Sequence, residues 1–163
     1  MAENRPGSSG RHLGPRRLRV VVDTNVFVSG LLGVKSAPRR IIAAWLDERF
    51  MLVTSLYLVG ELAHVLSYGR IAERIRVSRA EVDLILAAML STGEVVRGEL
   101  TLPGVTRDPK DDAVVACAVE GHVDYVVSGD GDLLVLGAYE GTEVVTPRRF
   151  LEIVEEERTT RQD

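Results

Sequence analysis

The sequence has one cysteine, Cys117, and three histidines, His12, His64 and His122. A single thiol rules out an internal disulfide and suits a reducing compartment. So few sulfur and imidazole groups leave no zinc motif to write. No apolar run approaches the roughly 18 residues that a membrane helix needs. The chain is therefore expected in the cytoplasm, with no membrane partner. The opening MAENRPGSSGRHLGPRR lacks the apolar stretch of a signal peptide and reads as a flexible basic leader. Lysine is nearly absent, 2 residues against 18 arginines, a usage better read as genome composition than as mechanism. The GxxxxGK[ST] pattern is missing too, which removes P-loop nucleotide chemistry. There is no internal repeat and no low-complexity block between the charged ends.

What remains is an ordinary globular composition, 45% hydrophobic and 27% charged, in 163 residues, enough for one domain with a core of normal size. The net charge of −4, taken alone, argues against a general nucleic-acid binder. Its distribution is more informative. Residues 1–17 carry four Arg against Glu3, or +3, and residues 155–163 carry four acids against two Arg, or −2. Residues 18–154 therefore hold −5. Scattered acids would serve solubility, whereas converging acids need a cation. The expected organisation is a leader over 1–17, one domain over 18–154 and a charged tail over 155–163.

Within that domain, strand-like and helix-like segments alternate. LRVVVD, residues 18–23, is a continuous apolar run of strand length, as for a strand buried on both faces. Residues 38–49 read as a helix with Ile41, Ile42, Trp45 and Leu46 on one face. FMLVT follows as a strand, and Ser55 can cap a helix running to about Ser67. Residues 68–75 read as a short basic helix, and Ser78 with Glu81 forms a capping-box pattern. GEVVRG predicts a third strand, followed by a polar loop over 98–107. In RDPKDD, Asp108 suits an N-cap, Pro109 the first helical position and Asp111 the capping-box acid. YVVSGDGD and TEVVTP supply strands four and five, and a last helix starts at Pro147. Such alternation predicts a three-layer α/β/α sandwich around a mainly parallel sheet of about five strands.

Open α/β sheets bind ligands beyond the carboxyl ends of their strands. Asp23 and Asp130 each close a strand at that edge, and Asp112 and Glu61 lie on helices near it. Each acid has an ordinary alternative. Asp23 before Thr24 and Asn25 could form an Asx turn, and Asp130 with Asp132 could be turn chemistry. Asp112, or equally Asp111, could complement the helix dipole. Glu61 could belong to a polar helix face with Tyr57, His64 and Tyr68. Together, four acids beside apolar segments would repel and raise one another's pKa values. A hard divalent cation removes that conflict, and an all-carboxylate site matches Mg²⁺ or Mn²⁺.

These segments resemble a PIN domain. DTNVFVSGLL at Asp23 is similar to the family's first acidic motif, in wording close to toxin components of bacterial and archaeal toxin–antitoxin pairs. TSLYLVGELAHVL resembles the segment with the second acid, on Glu61. RDPKDDAVVACAVEGHVDYVVSGDGDLL resembles the third and fourth motifs together, with the third acid on Asp112 and the fourth on Asp130. The resemblance covers roughly residues 18–150. It implies an endoribonuclease using one or two Mg²⁺ or Mn²⁺ ions, with Asp23, Glu61, Asp112 and Asp130 as catalytic residues and ligands. Asn25, Ser128, Asp132 and Asp111 would support them. It further implies an RNA substrate, a small antitoxin as partner and a homodimer.

A polyanionic substrate needs cations beyond the metal. The candidates are Lys35, Arg39 and Arg40, then Arg70, Arg74, Arg76 and Arg79 in the stretch YGRIAERIRVSR. Tyr68 could stack on a base, or be an ordinary half-buried tyrosine. Two other enzymatic readings and one non-enzymatic reading compete. An RNA-processing nuclease unrelated to toxicity would use the same residues. A phosphatase of the haloacid dehalogenase type wants a second Asp two residues after the nucleophile, where this chain has Asn25. An RNA- or protein-binding module would gain nothing from clustered acids without metal.

Overall fold

The computed structural model describes residues 16–33 and 36–163. Lys35 and most of the basic leader fall outside the described residues. The first strand, β1 (Arg19–Val22), ends immediately before Asp23. Val20 and Val22 pack into one core cluster and Val21 into a second, so the strand is covered on both faces. That explains its unbroken apolar run, because alternate side chains enter opposite layers.

The chain continues through α1 (Thr24–Leu32) and α2 (Ala37–Leu46) to β2 (Met51–Ser55), then α3 (Leu56–Ser67), α4 (Gly69–Ala72) and α5 (Arg79–Ser91). After β3 (Glu94–Val96) comes a loop, then α6 (Pro109–Glu120), β4 (Tyr125–Val127), α7 (Gly131–Leu134), β5 (Ala138–Tyr139), β6 (Thr142–Val145) and α8 (Pro147–Gln162). The sheet order is β3-β2-β1-β4-β6-β5. All neighbours are parallel except β5 with β6. Helices α1, α2, α5 and α8 supply the first core, with Phe27, Trp45, Met89 and Phe150. Helices α6 and α7 supply the second, with Val114, Val115, Ala118 and Leu133. The sandwich expected from the alternation is the fold the chain adopts, with β5 as a sixth strand.

Three local features have physical causes. TNVFVSGLL is a helix, although its β-branched residues and glycine give it little helical preference. Packing overrides preference there. A Cβ at Gly30 would come within 2.5 Å of Ile42 Cδ1, so glycine lets α1 lie close on α2. SGDGD is more than a turn, since Asp130 caps the single-turn helix α7. The charged residues 155–163 continue α8 as far as Gln162 rather than forming a separate tail.

The topology also fixes where a site can form. The chain moves from β1 outward through β2 to β3, then returns to the other side of β1 as β4. The gap beyond the carboxyl ends of β1 and β4 is therefore the switch point of the sheet, the usual place for ligand binding in such folds.

Candidate active site

Asp23 lies at that switch point. Its amide donates to Val127 O at 2.9 Å, which holds the turn against the end of β4. It occupies the N-cap position of α1, yet its side chain makes no capping hydrogen bond. Instead Oδ2 accepts a 2.7 Å hydrogen bond from Ser128 Oγ. Asp23 is 7% exposed, and burial pushes its pKa up; the Ser128 bond opposes that shift and the charge of Asp130 adds to it.

Ser128 is fully buried and serves both strand ends at once. While donating to Asp23, its Oγ accepts the Asp130 N–H at 2.9 Å. Asp130 Oδ1 in turn accepts the Asp132 N–H at 2.9 Å, the cap that starts α7. One hydroxyl thereby fixes the relative positions of two carboxylates that would otherwise repel.

The third acid arrives from α6. Asp108 caps this helix by accepting the Lys110 N–H at 3.0 Å, and Pro109 occupies the first turn. Asp111 is buried, and one carboxylate oxygen each from Asp111, Asp130 and Asp132 lies within 4.8 Å of the others. Asp111 Oδ2 is buried with no hydrogen-bond partner. Its pKa rises from 3.8 to about 7, through burial first, then the charge of Asp130 and a side-chain hydrogen bond with it, and then the charges of Asp23 and Asp108.

Asp112, which the sequence reading made the third acid, points elsewhere. Its Oδ1 accepts from the Thr106 N–H at 2.6 Å and Thr106 Oγ1 at 2.8 Å, and its Oδ2 accepts the Gly104 N–H at 3.0 Å. These bonds hold its pKa below the usual value. Successive helical residues are about 100° apart, so neighbouring carboxylates face different ways. Asp111 faces the acids and Asp112 fastens the loop that precedes the helix.

Asp23, Asn25, Glu61, Asp111 and Asp130 all line one cavity of about 320 Å³. Glu61 is on α3, whose residues Tyr57, Glu61 and Val65 line the wall at four-residue spacing. Glu61 Oε2 pairs with Lys110 Nζ at 3.4 Å, and this charge raises the lysine pKa. Among the described residues lining the cavity, Lys110 is the sole cation. It was not among the expected site residues, nor were Asp108 and Tyr57. The one available signal was position: one of two lysines in the chain sits inside the acidic motif.

Among the described residues, none of the expected RNA-binding arginines lines this cavity. Arg39 Nη1 donates to Gly30 O and Gly33 O, at 3.4 and 3.3 Å, tying α2 to the end of α1. Arg40 lines a separate depression with Glu152, Glu155 and Glu156 of α8. Arg70, Arg74, Arg76 and Arg79 are exposed between α4 and the start of α5. Tyr68 donates or accepts a 2.7 Å hydrogen bond with His64 Nε2, depending on the imidazole tautomer.

The family model described as PIN domain matches residues 19–132, more than half of the chain. An uncharacterized protein of Methanocaldococcus jannaschii is 25% identical over 146 residues, covering 83% of this chain and 91% of that protein. No helix among the described residues is long and apolar enough to cross a membrane.

Proposed function

This chain belongs to the PIN-domain family, and from that premise we propose that it is a metal-dependent endoribonuclease. PIN domains are generally metal-dependent nucleases, and the acidic cluster here is compatible with a divalent ion. The observation that carries the reading is the buried, unpartnered Oδ2 of Asp111, beside Asp130 and Asp132. A buried acceptor without a donor is costly, and a cation satisfies it. The donor set is all carboxylate, with no sulfur or imidazole, which suits Mg²⁺ or Mn²⁺ and not zinc.

Asp111, Asp130 and Asp132, whose carboxylates converge, would hold the cation, with Asp23 as a further ligand from the wall of the cavity that Asp111 and Asp130 line. When bound, it supplies Lewis acidity toward water and toward phosphoryl oxygens. The chain's own residues do the rest. Ser128 keeps Asp23 and Asp130 oriented, and Asn25 adds a polar group to the cavity wall. Glu61 receives the proton of the attacking water at Oε1, since Oε2 is engaged by Lys110. Lys110 Nζ offers a positive charge to a phosphate oxygen of the incoming strand; as the water oxygen bonds to phosphorus, the P–O bond to the departing ribose oxygen breaks, and that oxygen takes a proton from solvent.

The similarity of DTNVFVSGLL to toxin components supports a toxin role, with a small antitoxin as partner. Co-purification from the native host tests that separately. The nuclease reading is tested with total RNA and Mn²⁺ by mapping new 5′ ends. Asp23→Asn and Asp111→Asn are expected to abolish cleavage while the circular dichroism spectrum is unchanged. Asp112→Asn is expected to retain cleavage. Undiminished cleavage by both of the first two variants would remove the assignment.

A further inference from the structure

A second cavity, of about 530 Å³, lies on the other side of the first turn of α6. Its size falls in the range of small-molecule sites, about 300–1,000 Å³. Leu100, Leu102 and Pro103 of the loop cover it, and Ala113, Ala116 and Cys117 of α6 form one wall. Tyr57 lines both this cavity and the acidic one. Pro109 lines it too, lying between Asp108 and Lys110, which line the acidic cavity. The two spaces are therefore neighbours, divided by one helical turn.

Charge decides what the second cavity can hold. No Lys or Arg lines it among the described residues, whereas Asp112 and Glu120 do. A phosphate is thereby excluded, and a flat apolar ring is favoured by Tyr57, Pro103 and Pro109. Asp112 already accepts three hydrogen bonds, from Gly104 and Thr106. Glu120 is not: its Oε1 accepts the Glu99 N–H at 3.3 Å, and no hydrogen bond engages Oε2. The free charged group among the lining residues is thus a carboxylate acceptor. Adenine, cytosine and guanine carry amino donors that can reach such an acceptor. Uracil offers one N–H between two carbonyl oxygens that a carboxylate repels.

Resting on the nuclease reading, we propose that this cavity receives the nucleobase beside the cleaved phosphate and selects an amino-bearing base over uracil. Tyr57 supplies a ring at the mouth, of the kind on which unpaired bases stack, while Glu120 reads the amino edge.

Two measurements test this, one of them independent of cleavage. In the first, a random RNA pool is cut with Mn²⁺ and the bases flanking the cuts are counted. Wild type is expected to disfavour uracil at one flanking position by about tenfold, within the range base stacking and hydrogen bonding provide. Glu120→Gln and the cavity-filling Ala113→Leu are expected to flatten that bias while cleavage persists. In the second, adenosine, cytidine and uridine are titrated into the ¹⁵N-labelled protein. Adenosine and cytidine are expected to shift the amides of residues 98–104 and Glu120, uridine to leave them largely unmoved, and Ala113→Leu to abolish the shifts. Biased cutting with these shifts supports the proposal. Unbiased cutting without nucleoside shifts overturns it and leaves the nuclease reading standing. Nucleoside shifts without any cleavage support the base pocket and overturn the nuclease reading instead.

Discussion

Asp111→Asn separates a ligand carboxylate from a structural one, because the cation-free protein must respond to pH through this group. The Asp111 pKa is raised from 3.8 to about 7 in the folded chain. The folded state therefore holds the proton more tightly than the unfolded state across that interval. Stability consequently falls as pH rises from about 4 to about 7, and the loss is complete above it. At 1.36 kcal/mol per pKa unit the ceiling is about 4 kcal/mol. Asp111 opens onto a solvent-accessible cavity, so screening reduces this to about 1–2 kcal/mol. For a chain of this length that amounts to roughly 2–8 °C in melting temperature. Thermal melts in EDTA at pH 5 and pH 8, with a matched series in Mn²⁺, measure it. Wild type should melt lower at pH 8 in EDTA and recover with Mn²⁺. Asp111→Asn should be more stable than wild type at pH 8 in EDTA and respond weakly to Mn²⁺. A variant that is less stable at pH 8 without metal, or that gains as much from Mn²⁺ as wild type, would refute the reasoning.

Ser128→Ala removes the hydroxyl that joins Asp23 to Asp130. It should cost about 1–3 kcal/mol in denaturant titrations and weaken Mn²⁺ binding about 10–100-fold by calorimetry. Lys110→Ala leaves Glu61 unpaired; RNA binding should weaken roughly tenfold, whereas Mn²⁺ binding should tighten, as filter binding and calorimetry would show. The Asp112 pKa is lowered in the folded chain by its bonds to Thr106 and Gly104. Its contribution is therefore present at neutral pH and lost as pH falls through and below the usual carboxylate range. Limited proteolysis should accordingly open residues 98–108 at pH 3 before the core yields. Asp112→Asn should show the same sensitivity at pH 7 while still binding Mn²⁺.

Much of this was legible in the sequence because it rests on the linear pattern. LRVVVD reads as a doubly covered strand, and its two core faces confirm the reason. Ser55, the Ser78–Glu81 pair and Asp108 cap the helices expected of them. Which Asp of RDPKDD enters the cavity was not legible. Ala113 to Val119 are all small or apolar, so hydrophobic periodicity gives no phase for the helix. Burial of Asp111 with Val114, Val115 and Ala118 is set by the sheet and α7, which a linear pattern does not contain. The basic residues failed for a related reason. Arg39 has an acceptor at the end of α1, and Arg40 lies near the acids of α8. Lys110 acquires its partner only through the packing of α3 against α6.

The clasp that Asp112 closes on Gly104 and Thr106 has an evolutionary consequence. Gly104 and Thr106 are held to the helix by a carboxylate outside the acidic cavity, so residues 98–103 before them can be exchanged without shifting the acids. Changes in the loop and changes in Asp23, Asp111 or Asp130 therefore fall under separate selection. A lineage can revise the loop while the acidic cavity is inherited intact.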